Sequence, residues 1–74
     1  MPSVSDYRIV LGRAIREQRK RADLTQEELA ERADMHPNYL GRVERGEETV
    51  SLRALLKITR GLGVELSELV RGLK

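Results

Sequence analysis

The stretch LTQEELAERADMHPNYLGRVERG, residues 24–46, contains two signals for the start of a helix. Thr25 is a favoured N-cap residue, and Glu28 three positions later completes a capping box. Pro37 is the second signal, because proline is favoured at the first helical position, where its missing N–H would be unpaired in any case. The stretch therefore predicts one helix over residues 26–33 and a second helix that begins at Pro37.

Each of these two helices has one inward face. Asp34 tolerates the left-handed backbone and is expected to end the first helix, while Gly46 is the natural C-cap of the second. The side chains expected to be buried are Leu29, Ala30, Ala33, Leu40, Val43 and Glu44. Two short helices joined by DMHP, residues 34–37, with small residues inside the first and a polar outer face on the second, make a helix-turn-helix.

Three further helices are predicted around this unit. The first covers residues 7–22 and follows a tail at residues 1–6; Ser51 caps another that ends at Gly63, and the last covers residues 66–72. Their predicted apolar positions are Leu11, Ile15, Ala22, Leu52, Leu55, Leu56, Thr59, Leu62, Leu66, Leu69, Val70 and Leu73. No segment is typical of a strand. The predicted fold is all-α, a compact five-helix bundle forming a single domain over residues 1–74.

Composition narrows the class of protein. A chain of 74 residues supports one small core, which must be built from Leu, Ile, Val and Ala because aromatic residues are only 3%. The absence of cysteine excludes disulfides and thiolate metal sites. No segment resembles a membrane span or a signal peptide, so we expect a soluble cytoplasmic protein.

The net charge of +2 is a weak indication of an anionic partner, but the basic residues are unevenly distributed. Between Tyr7 and Ala22 the only acidic residue is Glu17. The basic residues of that segment are Arg8, Arg13, Arg16, Arg19, Lys20 and Arg21. Such a segment is usually a solvated helix face, and it becomes informative only if another element also points to an anion.

From Leu24 to Gly46 the sequence resembles the DNA-binding helix-turn-helix of the phage-repressor family, the Cro and cI-like or xenobiotic-response-element proteins. SLRALLKITRGLGVELSELV, residues 51–70, is similar to the fourth and fifth helices of that family. The resemblance covers nearly the whole chain. It implies a lambda-repressor-like bundle whose function is sequence-specific binding of double-stranded DNA.

The resemblance also implies roles for individual residues. The second helix of the motif would read base edges in the major groove, and residues around it would contact phosphates. The residues predicted to read bases are Pro37, Asn38, Tyr39 and Arg42. The residues predicted to contact phosphate are Gln26, His36, Arg45 and Arg21. Arg42 is the best candidate among them, since a bidentate contact from arginine to guanine is the commonest specific contact between a side chain and a base. The alternative is that Arg42 is only a solvated surface charge.

Two positions depart from the family. His36 stands where a small hydroxyl residue usually caps the recognition helix, and Asp34 stands where glycine is usual. Because the sequence has one histidine and no cysteine, His36 is interpreted as a cap and not as a metal ligand. We expect no metal and no cofactor.

Arg19 and Glu44 are charged residues on otherwise apolar stripes of two helices. The resemblance also pairs these positions. We predict a partly buried salt bridge between them.

One recognition helix reads too few base pairs to select a genomic site, so we predict a homodimer on palindromic operators. The predicted interface is the C-terminal segment, residues 64–74. Its apolar residues are Val64, Leu66, Leu69, Val70 and Leu73. The alternative is that these side chains only close the core.

A narrower resemblance is to the small controller proteins of restriction-modification systems, carried by MHPNYLGRVERG, residues 35–46, and by the fourth helix. It implies dimers on repeated operator boxes that regulate their own gene and the endonuclease gene. No small-molecule ligand is expected, so protein concentration would be the control variable. The exposed acidic residues Glu47 and Glu48 suggest a surface for contact with RNA polymerase.

Other functions compete with this interpretation. A phage repressor or Cro-like switch and a small antitoxin are rivals within the DNA-binding class. A protein-interaction module on the same fold is the alternative from another class, although Arg42 and Arg45 argue against it. An enzyme is disfavoured, because no nucleophile and base, metal site or phosphate-binding loop is evident.

Overall fold

Five helices surround one apolar core in the computed structural model, which describes residues 4–71. They are α1 (Val4–Arg21), α2 (Gln26–Arg32), α3 (Pro37–Glu44), α4 (Leu52–Leu62) and α5 (Leu66–Arg71). Residues 4–71 contain no strand, so the all-α five-helix prediction is confirmed. None of these helices is both long enough and apolar enough to span a bilayer.

The predicted caps set the helix boundaries. The Thr25 hydroxyl accepts from the Glu28 N–H at 3.0 Å, and the Glu28 carboxylate accepts from the Thr25 N–H at 2.8 Å. At α4, the Ser51 hydroxyl accepts from the Ala54 N–H at 3.1 Å, and Gly63 ends the helix with φ 74°. Each contact satisfies a terminal N–H that has no partner within its helix, which is why these residues define the boundaries.

The core lies where α1 and α4 meet the helix-turn-helix formed by α2 and α3. α2 packs against α4 and α3, and α1 packs against α3 and α5. Complete burial of an aliphatic side chain stabilises the fold by about 1.5–3 kcal/mol. The buried apolar residues are Ile15, Leu24, Leu29, Ala30, Ala33, Leu40, Val43, Ile58, Leu62 and Leu69. They include every apolar side chain predicted to lie inside the helix-turn-helix.

Gly12 allows α1 to approach the end of α3 at backbone distance. A Cβ atom at this position would lie 2.7 Å from the carbonyl oxygen of Glu44, closer than a carbon atom is tolerated. Because the obstacle is backbone, no side-chain movement could make room. Glycine is therefore required for the seating of α3 on α1.

Two features of α1 differ from the prediction. The predicted tail is wrong at residues 4–6, which belong to α1, while residues 1–3 lie outside the described part of the chain. Ala22 is exposed, because α1 ends at Arg21 and Asp23 turns the chain with φ 58°.

Leu52 and Leu56 are 64% and 49% exposed, although the stripe of leucines in α4 predicted both to be buried. The inward face of α4 is centred on Leu55, Ile58 and Leu62. With 3.6 residues per turn, Leu52 and Leu56 fall at the outer edge of that face. They leave an apolar strip on the surface of α4.

The C-terminal segment also differs from the prediction. Leu69 is only 1% exposed and belongs to the core, since α5 packs on both α1 and α4; it cannot contribute to an interface with another molecule. Val64 and Leu66 are half-buried, and Val64 packs against the core. Val70 is 40% exposed, and Leu73 lies outside the described residues.

Candidate nucleic-acid interface

α3 has an apolar inner face and a polar outer face. Leu40 and Val43 are buried, whereas Asn38, Arg42 and Arg45 are exposed. Pro37 begins the helix and is half-buried, like Tyr39, which packs partly against the core. The helix therefore presents an amide and two guanidinium groups to solvent, with a proline and a tyrosine beside them.

The Arg19–Glu44 pair fixes this helix on α1. The Nε and Nη2 atoms of Arg19 donate to the two carboxylate oxygens of Glu44 at 2.7 and 3.1 Å. The Nη1 atom donates to the Leu24 carbonyl at 2.8 Å. The side chains are 11% and 2% exposed, so the ion pair that the sequence predicts is present and largely buried.

Gln26 connects the start of α2 to the same carboxylate. Its Nε2 atom donates to Glu44 at 3.0 Å, and the side chain is half-buried. A glutamine amide carries two N–H groups, so one remains for a phosphate. Both helices of the motif are thus held through Glu44.

His36 acts as the N-cap of α3. Its Nδ1 atom accepts from the N–H of Asn38 at 3.0 Å, in the role predicted for it. This contact uses the backbone N–H of Asn38 and leaves its side-chain amide for other partners. Within residues 7–71, whose side chains the structure describes, no three histidine, cysteine or carboxylate side chains are placed to hold a metal ion.

A polar cleft runs between α1 and the N-termini of α2 and α3. Its walls include Arg16, Gln26, His36, Asn38 and Arg45. The cleft is also lined by Glu27 and by the Arg19–Glu44 pair. The features that favour an anion there are Arg16, Arg45 and the partial positive charge of the helix N-termini.

Arg16 also lines this cleft, although it is not among the phosphate contacts predicted from the sequence. Arg21 lies along a different groove, between α1 and α5. The signal for Arg16 was its spacing, since it lies four residues after Gly12 and three before Arg19, both of which contact α3.

The two exposed arginines at the C-terminal end of α3, Arg42 and Arg45, are paired with glutamates in the loop that follows the helix. The Nε atom of Arg42 donates to Glu48 at 3.1 Å, and the Arg42 guanidinium carbon lies 6.0 Å from the centroid of the Tyr39 ring. Arg45 donates to Glu47 through Nε at 3.0 Å and through Nη2 at 3.3 Å. The hydrogen bond from Arg45 lowers the pKa of the Glu47 carboxyl, and the same contact raises the pKa of Arg45.

Comparison with known proteins identifies this arrangement. The helix-turn-helix family matches residues 15–69. Control protein C.MunI of Mycoplasma sp. is 40% identical over 67 residues, which cover 89% of this chain and 90% of C.MunI. The chain belongs to the helix-turn-helix family and, within it, to the control proteins.

Solved structures agree with this assignment. The restriction-modification controller protein C.AhdI of Aeromonas hydrophila superposes with a TM-score of 0.84 and 38% identity, over 86% of this control protein and 97% of C.AhdI. The clp gene regulator ClgR of C. glutamicum superposes with a TM-score of 0.86 and 33% identity, over 89% of this chain and 85% of that one. The same fold therefore occurs in regulators of different genes.

Proposed function

We propose that this control protein is a transcription regulator that binds specific sequences of double-stranded DNA, with α3 as the recognition helix. The observation that carries the proposal is the exposed outer face of α3, where Asn38 and Arg42 lie one helical turn apart. The Arg19–Glu44 pair holds that helix on α1. A rigidly held helix with polar groups one turn apart is the geometry that reads neighbouring base pairs in the major groove.

Base reading is assigned to four residues of α3. The Asn38 amide suits the N6 and N7 atoms of adenine, and Arg42 suits the O6 and N7 atoms of guanine. Pro37 has no N–H and offers apolar contact, and Tyr39 combines apolar contact with a hydroxyl.

Phosphate contact is assigned to the polar cleft. Gln26 and His36 stand at the N-termini of α2 and α3, and Arg45 lies at the end of α3. Arg16 joins this set in place of Arg21, since it lines the same cleft. Such contacts orient the protein on the duplex without carrying sequence information.

A homodimer is proposed because one recognition helix selects too few base pairs. The exposed pair Leu52 and Leu56 on α4 is proposed as the surface for the second copy, since they are more exposed, at 64% and 49%, than the exposed large apolar side chains Tyr7, Ile9 and Val70, at 40–46%. Twofold symmetry would place two recognition helices about 34–36 Å apart on a palindromic operator. This proposal moves the interface from the predicted C-terminal segment to α4.

The similarity to restriction-modification controllers favours the same regulatory system for this chain. We propose that it regulates its own gene and an endonuclease gene in the bacterial cytoplasm, with its own concentration as the signal, and without a cofactor or catalytic activity. Contact with RNA polymerase remains a prediction. The acidic residues suggested for that contact, Glu47 and Glu48, are engaged by arginines.

Selection of bound sequences from a random duplex pool tests the proposal. We expect a palindromic consensus, and an affinity for it that falls steeply with salt as counterions are released. Equal binding to all duplexes, or no binding, would end the claim of sequence-specific recognition.

A further inference from the structure

Glu48 is the residue outside α3 that contacts the side chain best suited to read a base. We propose that Glu48 determines specificity by positioning Arg42 for a guanine and by disfavouring phosphate contacts at incorrect sites. The inference rests on the proposed DNA-binding function and deepens it. Glu48 lies in the loop after α3 and was singled out from the sequence only as exposed charge.

The ion pair with Glu48 leaves the two Nη groups of Arg42 available for a base. Glu48 accepts from the Nε atom of Arg42, at 3.1 Å, and no contact with Glu48 takes either Nη atom. A guanidinium carries one N–H on Nε and two on each Nη atom. The two Nη groups can therefore donate to the O6 and N7 atoms of guanine while the Nε contact is kept.

Tyr39 supports the same guanidinium from another direction. The Arg42 guanidinium carbon lies 6.0 Å from the centroid of the Tyr39 ring, at the limit of a cation–π contact. A side chain restrained by an ion pair and an aromatic ring loses less conformational freedom on binding. The Arg42 side chain is therefore restricted to fewer conformations before DNA binds.

The neighbouring ion pair, Arg45–Glu47, serves as a control because its hydrogen bonds use a different set of guanidinium atoms. Glu47 accepts from both Nε and Nη2 of Arg45, so it occupies an edge that a phosphate would use. The side chains of Arg45 and Glu47 are 58% and 52% exposed, against 44% and 35% for Arg42 and Glu48. Removal of the Glu47 charge should therefore strengthen binding to all sequences alike.

The Glu48 charge acts differently at correct and incorrect sites. A carboxylate beside the recognition helix is repelled by DNA phosphates in either case. At a correct site the positioned arginine adds a guanine contact, whereas at an incorrect site nothing offsets the repulsion. Glu48 should therefore weaken non-specific binding more than operator binding.

The test measures affinity of the full chain for the selected operator duplex and for a scrambled duplex of equal length, at one salt concentration. Glu48→Gln keeps the size of the side chain and removes its charge. The specificity ratio is the dissociation constant for the scrambled duplex divided by that for the operator. We expect Glu48→Gln to lower this ratio by about three- to tenfold, which is part of the discrimination that a bidentate arginine–guanine contact supplies. With Glu47→Gln both affinities should rise, and their ratio should stay within about twofold of wild type.

A second arm separates positioning of Arg42 from a general charge effect. In the Arg42→Ala background, Glu48→Gln should no longer lower the specificity ratio by the same factor, because the arginine that it positions is gone. An unchanged ratio in Glu48→Gln, or an equal fall in Glu47→Gln, would overturn the role of Glu48. A wild-type chain without preference for any duplex would instead reject the proposed function, and this inference with it.

Discussion

Breaking the Arg19–Glu44 pair should remove a large share of the stability of the fold. Glu44→Ala deprives the Arg19 guanidinium of two acceptors and the Gln26 amide of one, inside a region where Glu44 is only 2% exposed. Removal of one partner from a buried ion pair costs about 3–5 kcal/mol. A 74-residue domain has on the order of 4–11 kcal/mol in total, so the variant should keep on the order of 0–8 kcal/mol and should unfold at a clearly lower urea concentration than wild type.

Urea denaturation at one fixed protein concentration measures this effect, since dimerisation would make stability depend on concentration. The double variant Arg19→Ala with Glu44→Ala should lose less than the sum of the two single losses, with a coupling energy of about 2–3 kcal/mol. The matched control is the pair Arg42 and Glu48, whose side chains are 44% and 35% exposed. Its coupling should be at most about 1 kcal/mol, as for other surface pairs.

Additive effects at Arg19 and Glu44, or a loss below about 1 kcal/mol in either single variant, would refute this reasoning. Such a result would show that the two side chains do not act as one buried unit. The explanation of how α3 is held for DNA reading would then fail with it.

Three further outcomes are expected. Gly12→Ala should destabilise the fold by about 1–3 kcal/mol or more in urea denaturation, because its Cβ would lie 2.7 Å from the Glu44 carbonyl oxygen; unchanged stability would contradict the close approach of α1 and α3. The hydrogen bond from the Thr25 N–H lowers the pKa of Glu28, so its contribution should be complete above about pH 4.5 and should be lost as the pH falls through the lowered value. Urea midpoints from pH 6 to pH 3 should therefore fall less steeply in Glu28→Gln than in wild type, and identical slopes would remove this group as a cause. Leu56→Glu should shift sedimentation toward monomer at micromolar concentration without loss of helix content, and an unchanged dimer would exclude α4 as the interface.

The helix-turn-helix could be predicted from sequence because its boundaries are set by local chemistry. Thr25, His36 and Pro37 act within one turn of their own positions, and the structure shows each in its predicted role. The Arg19–Glu44 pair was also predictable, since a charge on an apolar stripe needs a partner.

The errors arise where distant packing decides. Periodicity marks Leu52 and Leu56 as apolar positions of α4, but it does not reveal how the helix is rotated on the core. In the same way, Leu69 is buried because α5 folds back between α1 and α4, which no local signal indicates. Local signals also cannot separate Arg16 from Arg21, because both are basic residues of α1 and only the crossing of α1 and α3 places them along different grooves.

The most direct test of base reading by α3 is to repeat the selection from a random duplex pool with Arg42→Ala and with Arg45→Ala. We predict that Arg42→Ala loses preference at one symmetric pair of guanine positions and keeps the rest of the palindrome. Arg45→Ala should keep the whole consensus and only weaken binding. An unchanged consensus with Arg42→Ala would contradict the central claim, because Arg42 would then contact only phosphate or no DNA at all.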